Sequence, residues 1–344
     1  MSITDRRVSI ARYRMHAPHL ARPSLSAPAG SRYPGVAVAF LVLWFAAAPS
    51  VSAHVLSADD RGAPLLGWSF EAWVVVPLAI SAVLYAVGYL RLSARSRHAK
   101  STHMRQLAAF FGGWLVLVAA LDSPLDSLSA ALFSAHMVQH ELMMIVAAPL
   151  LVLGRPLAIW VWAFPRAARS WLGRAVRTRA VRAVWRAITA PAIAWLLHAA
   201  ALWAWHVPTL FEAALANPRI HTLQHASFLF SALLFWWTIF GEPSGRRRSG
   251  HAMLALFTTM VHTGALGALI TLSPELWYPS YVEPCSALGF DPLQDQQLGG
   301  LVMWVPGGLA YLVAGLAVSA RWLLQRRAPV FIGRPLNAPP DGGI

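Results

Sequence analysis

Leu128-Ser-Ala-Ala-Leu-Phe133-Ser-Ala-His136-Met-Val-Gln-His140-Glu141-Leu-Met-Met-Ile-Val-Ala-Ala-Pro149-Leu-Leu-Val-Leu153 is a 26-residue run in which only His136, His140 and Glu141 can carry charge. As a helix it would extend roughly 39 Å, more than the roughly 30 Å of hydrocarbon in a bilayer. It reads as a membrane span with two imidazoles four residues apart, hence on one helical face, and an acid directly after them.

The rest of the chain has the same character. Of 344 residues, 57% are hydrophobic and 12% charged, and the mean hydropathy is +0.52. A soluble domain carries about 25% charged residues, so a soluble globule is excluded. Six further apolar runs lie near Trp73–Leu90, Leu107–Leu121, Ala190–Trp205, Thr222–Gly241, Ala252–Leu272 and Leu298–Ala320. The expected fold is an all-α integral membrane bundle of seven transmembrane helices. A single cysteine, Cys285, rules out an intramolecular disulfide and any multi-cysteine metal site.

Basic residues set the expected orientation. The connections Arg91–Arg105 and Arg155–Arg186, the triplet Arg246–Arg248 and the tail from Arg321 hold most of them, whereas Asp59, Asp60, Glu71, Asp122, Asp126, Glu212, Glu275, Glu283, Asp291 and Asp295 fall on the alternate side. Cytoplasmic loops retain Lys and Arg. The acidic ends therefore face outward, the carboxyl terminus lies in the cytoplasm, and the net +14 reflects topology and not nucleic-acid binding. The segment 155–189 carries eight arginines among recurring tryptophans, the pattern of an interfacial helix on an anionic cytoplasmic leaflet.

Residues 1–53 form a basic preamble followed by the apolar run Val36–Ala48 and Val51-Ser-Ala53. This reads either as a signal peptide cleaved before His54 or as a retained eighth helix. Residues 54–327 form the polytopic domain, and 328–344 a disordered cytoplasmic tail.

The histidines separate by depth. His98, His103 and His251 sit among arginines at the cytoplasmic face, where solvation explains them. His136 and His140 are expected roughly 12 and 18 Å below an outer end at Leu128. His206 ends the fourth span, with His198 deeper on it; His221 and His225, again four apart, open the fifth, and His262 lies in the sixth. Ionisable groups within hydrocarbon are costly and turn toward the bundle interior, so imidazoles from four spans converge on a metal site or else act as interhelical hydrogen-bonding partners. Imidazole suits zinc, copper, iron and nickel, and the nearby Met137, Met143, Met144, Met260 and Met303 tilt the choice toward copper. Glu141 and Asp295 are the carboxylates best placed to orient the imidazoles. No GxSxG, P-loop or HExxH pattern is present, and the expected role is binding without turnover.

Four stretches together carry a resemblance: Ser123-Pro-Leu-Asp126; Phe133-Ser-Ala-His136-Met-Val-Gln-His140-Glu-Leu-Met-Met with Pro149-Leu-Leu-Val-Leu-Gly154-Arg-Pro156; His221-Thr-Leu-Gln-His225-Ala-Ser-Phe with Phe235-Trp-Trp237; and Asp291-Pro-Leu-Gln-Asp295-Gln-Gln-Leu-Gly299-Gly-Leu-Val-Met303-Trp304. From about Trp73 to Trp322 the chain resembles the CtaG family of multi-span bacterial cytochrome c oxidase assembly factors. The resemblance implies a multi-pass protein of the bacterial plasma membrane that works with cytochrome c oxidase subunits and holds or delivers copper at the outer face. It also implies that His136, His140, His221 and His225 are metal-site residues, with Asp295 and Met303 beside them. Two other readings of the histidines stay open: a haem-binding electron carrier with axial ligands from different spans, and a copper or proton transporter through His198, His262 and Glu141.

Overall fold

The computed structural model describes residues 67–95, 100–241 and 246–327. The preamble, the proposed cleavage site, His54 and the tail lie outside the described residues. The described chain is helical: α1 Ala72–Ser93, α2 Lys100–Leu121, α3 Pro124–Ser129, α4 Phe133–Glu141 continuing through a π turn at Leu142–Ala147 into Ala148–Gly154, α5 Pro156–Ala163, α6 Arg166–Val176, α7 Arg179–Ile188, α8 Pro191–Trp205, α9 Pro208–Ala216, α10 Pro218–Phe240 and α11 Arg246–Thr271. After a loop at the acidic end containing the 3-10 turn Pro279–Tyr281 come α12 Val282–Ala287 and α13, which runs Pro292–Val302, through a π turn at Met303–Gly307, into Gly308–Arg327.

Six of these helices are long and apolar enough to cross a membrane, and a seventh crossing exists only if α7 and α8 are taken together. That is the departure from seven straight spans. α8 alone has 15 residues, and it meets α7 at a 62° bend. Pro191 at the first position of α8 causes the break. A proline has no N–H for the preceding turn and disfavours helical backbone in the residue before it.

A second departure concerns where the third span begins. Ser123 accepts from the Leu125 N–H at 3.2 Å and starts the separate helix α3, so the third span begins at Phe133 and not at Leu128. His136 and His140 then lie three and seven residues along the helix from its start, roughly 5 and 10 Å.

The segment 155–189 is three helices, and its first is no surface element. Arg155, with φ +51°, turns the chain between α4 and α5. On α5, Ile159, Trp160 and Val161 are buried, and the Trp160 indole donates to the Ser81 carbonyl of α1 at 3.0 Å. The arginine-bearing α6 and α7 are largely exposed.

The bundle has one acidic and one basic end. Ser69 bonds Asp126, and its N–H donates to the Asp122 carbonyl at 2.9 Å, which brings the start of α1, the end of α2 and α3 together. At the opposite end the Arg95 and Arg169 guanidinium groups stack over Trp162 at 5.6 and 4.6 Å. Between the ends, Val76, Ile80 and Val83 on α1, Leu254, Phe257 and Val261 on α11, and Leu309, Leu312, Val313 and Leu316 on α13 point outward. An apolar belt of that size would drive aggregation in water and is the expected lipid-facing surface.

Small residues permit the closest helix approaches. A Cβ at Gly88 of α1 would overlap the Ile159 carbonyl of α5, and one at Gly154 would lie 2.7 Å from Phe110 Cβ on α2. Gly88→Val should therefore cost about 1–3 kcal/mol through forced repacking, whereas Gly173→Ala, inside α6 with open space at that position, should keep or slightly raise the melting temperature of the detergent-solubilised protein, since alanine is the better helix former; equal melting temperatures for both would contradict this packing.

Candidate metal centre

The centre is built from three helix ends meeting at the acidic end of the bundle. α4 begins inside protein, where its first N–H groups need acceptors. The Asp295 carboxylate of α13 supplies them: it accepts from Phe133 N at 2.6 Å and Ser134 N at 3.3 Å, and bonds the Ser134 hydroxyl. One turn below, His136 and His140 project from the same face. Asn217 caps α10 by accepting from the Arg219 N–H at 2.9 Å, which sets His221 and His225 one and two turns into that helix. His206 closes α8.

Ring nitrogens of His136, His221 and His225 all lie within 4.8 Å of one another. The His140 ring is 4.3 Å from that of His136 and 5.0 Å from that of His225, edge to face in both cases. Both His140 nitrogens are buried without a hydrogen-bond partner among the described residues. His206 stands against the same aromatic wall, 6.3 Å from Phe211 and 6.0 Å from Phe228. Its Nδ1–H donates to the Leu202 carbonyl at 2.7 Å, and its Nε2 is buried with no partner among the described residues. His136, His140 and His206 are 2% exposed or less and His225 5%, whereas His221 is only half-buried. Access to the cluster is therefore by His221.

Tyr281 fixes the tautomer of His136. Its hydroxyl lies 3.1 Å from the Ser129 carbonyl and 3.0 Å from His136 Nδ1. A carbonyl only accepts, so both contacts are satisfied together when the phenol donates to Ser129 and accepts from Nδ1–H. Nε2 of His136 then carries the lone pair a metal requires. Burial, with Asp295 and Glu212 nearby, raises the Tyr281 pKa well above its ordinary value, which keeps the phenol neutral. The loop bearing it covers the centre. Tyr278 stacks on Phe133 at 4.8 Å and donates to the His206 carbonyl at 3.0 Å, and Gln296 accepts from Trp277 N at 2.6 Å.

Other residues singled out in the sequence lie elsewhere. His262 accepts from the Trp203 indole at 3.4 Å and sits edge-on to Trp195, outside the cluster. Met303 and Met137 are buried in an apolar cluster with Phe133, Leu266 and Ile270, and Met143 and Met144 in the larger core. Glu141 faces α13, where a Cβ at Gly307 would lie 3.1 Å from its Oε2; that oxygen is buried without a partner among the described residues. His198 is held by Ser231 at 3.2 Å and Tyr311 at 3.3 Å. Tyr281 and Tyr278 escaped the sequence reading. Their one signal was the aromatic character of the loop Trp277–Tyr281 between two spans.

The profile of the family described as cytochrome c oxidase caa3 assembly factor (Caa3_CtaG) matches residues 83–325. Uncharacterized proteins of Mycobacterium bovis and Mycobacterium tuberculosis are each 26% identical over 270 residues, and one of Mycobacterium leprae is 26% identical over 272. The alignments take in 75–76% of this chain and 40% of each relative, so the chain spans well under half of their length. No solved structure matches the chain.

Two outcomes test this geometry. Asp295→Ala leaves two helix N–H groups without acceptors and should cost about 1–3 kcal/mol of stability, read as a lower melting temperature; an unchanged value would remove the cap from the account. At the rim, burial and the neighbouring Asp126 and Glu71 push the Asp122 carboxyl up from 3.8 to about 6. A folded-state pKa above the unfolded value means the folded state holds the extra proton, so this contribution is full below pH 3.8 and is lost as pH rises through about 6. Asp122→Asn should flatten the melting temperature across that window, and a variant with the wild-type slope would contradict the shift.

Proposed function

The chain belongs to the cytochrome c oxidase caa3 assembly factor family, and from that premise we propose that it holds a cuprous ion in the imidazole cluster and passes it to an oxidase subunit while the oxidase metal centres are assembled. The observation that carries this reading is the convergence of His136, His221 and His225 nitrogens within 4.8 Å. Donors around one ion at a metal–nitrogen distance of about 2.0 Å stand about 3.3–3.6 Å apart. Rotations of roughly 1 Å at the ring tips close that gap, and His140 and His206 supply replacement nitrogens during loading or release.

Charge selects the ion. The donors are neutral imidazoles, and the Asp295 carboxylate bonds helix N–H groups. A divalent ion would keep its full charge in a low-dielectric site, and the cost of burying charge grows with its square, about fourfold from +1 to +2. Neutral nitrogen donors therefore favour cuprous ion over zinc or cupric ion. This replaces the methionine argument, since the nearby thioethers pack in the core.

The packing speaks for an ion over a haem. A macrocycle between His136 and His225, whose ring centroids are 5.7 Å apart, would have to occupy the space of His221, Phe211 and Phe228. The apolar belt and the family support a multi-pass protein of the bacterial plasma membrane, and the arginine distribution supports an outward acidic end.

Anaerobic titration of the detergent-purified chain with cuprous ion should give about one tightly held ion per chain. The triple variant His136→Ala, His221→Ala, His225→Ala should lose it with helical content intact, and cells carrying the variant should insert it in the membrane yet make copper-deficient oxidase. Tyr281→Phe should weaken the ion about 10–100-fold without unfolding the protein. Copper retained by the triple variant, or fully metallated oxidase in its presence, would overturn the proposal.

A further inference from the structure

A cavity of about 170 Å³ lies between α1, α2, the end of α4, α5, α7 and α10, and extends from the level of Leu117 and Leu229 to Trp185 and Trp237. It is comparable to engineered cavities that hold a benzene-sized hydrocarbon. Its wall is almost wholly apolar, including Trp114, Trp160, Trp185 and Trp237. The first two indoles spend their N–H groups on α1 carbonyls, Trp114 on Leu78 at 2.9 Å and Trp160 on Ser81 at 3.0 Å. Trp237 differs: it is 8% exposed, and its indole N–H is buried with no acceptor among the described residues. Rim residues Leu157, Trp185 and Leu233 are half-buried, so the cavity opens toward the lipid-facing surface.

The rim is tied to a cationic helix. Trp185 belongs to α7 and packs edge-on against Trp237 at 5.7 Å. One turn before it stands Arg182, and Arg186 follows it, both exposed. The whole stretch 155–189 contains eight arginines and no carboxylate, so nothing within it neutralises them. An apolar slot lined by Trp185 and Trp237 thus adjoins the helix that carries the exposed Arg182 and Arg186.

We propose that this is a binding site for one anionic phospholipid of the cytoplasmic leaflet. The terminal part of one acyl chain enters the cavity, and the phosphate bonds Arg182 and Arg186, for which guanidinium geometry is well suited. None of the cluster histidines lines the site, and it does not depend on the metal reading. Its role is mechanical: the lipid holds α7 at the membrane surface where the bend into α8 begins, and α8 carries His206.

The test is native mass spectrometry of the full chain released from nanodiscs that contain phosphatidylglycerol and phosphatidylcholine in equal amounts. The proposal expects one phosphatidylglycerol retained per chain at collision energies that strip phosphatidylcholine. Leu233→Trp, which fills the cavity, and the exposed pair Arg182→Gln, Arg186→Gln should each reduce retention at least about fivefold, with cuprous-ion binding unchanged. The arginine pair lies outside the core, so its result stands even if the cavity variant folds poorly. Equal retention of the two lipids, or wild-type retention by the arginine pair, would mean that only bulk annular lipid is present and would overturn the proposal.

Discussion

A helix that starts inside a membrane protein must find acceptors for its first N–H groups, because no water is available to take them. α4 meets that constraint with a carboxylate borrowed from the far end of the sequence, Asp295 on α13, which binds the N–H groups of Phe133 and Ser134. The bond sets where α4 begins and so how deep His136 and His140 lie. It also ties the third span to the last one, and the loop at the acidic end is fastened to the same end of α13 by Gln296. Without this contact the paired imidazoles would have no fixed height against those of α10.

The same economy governs the other buried polar groups near the centre. Gln139, between the two histidines in sequence, gives its amide N–H groups to the Ala120 carbonyl at 2.7 Å and to Asp126 at 2.9 Å. Asp126 in turn takes the Ser69 hydroxyl at 3.0 Å. Carboxylates near the cluster are thus committed to holding backbone and side chains in place, while the imidazoles are left to face one another. Neutral donors cost far less to bury than charged ones, so several can converge beneath a lid of Tyr278 and Tyr281. This arrangement suits a singly charged ion that must later leave.

Much of this was legible in the sequence, for identifiable reasons. Spacing of four puts His136 with His140 and His221 with His225 on single helical faces, and the cost of burying ionisable groups turns those faces inward; that these two pairs belong together was implied by the family resemblance. The distribution of arginines and carboxylates likewise anticipated the acidic and basic ends. Hydropathy did not reveal the break at Pro191, because α8 is as apolar as a full span and differs only in length. The true start of α4 was hidden because residues 128–132 are apolar and yet belong to the separate turn that Ser123 initiates. Tyr281 was invisible because its partner is 145 residues away. Met303 misled for a related reason: its position near the histidines in sequence pattern says nothing about whether its sulfur faces them or Leu266 and Ile270.

Membership of an oxidase assembly family gives the centre a context, and the imidazole geometry gives that context a chemistry. The most direct test is X-ray absorption at the copper edge of the purified chain loaded with cuprous ion. A low-coordinate cuprous site with three imidazole scatterers and no sulfur is the expected result, in keeping with the thioethers packed in the core. A sulfur shell, or copper bound only by oxygen, would contradict the account.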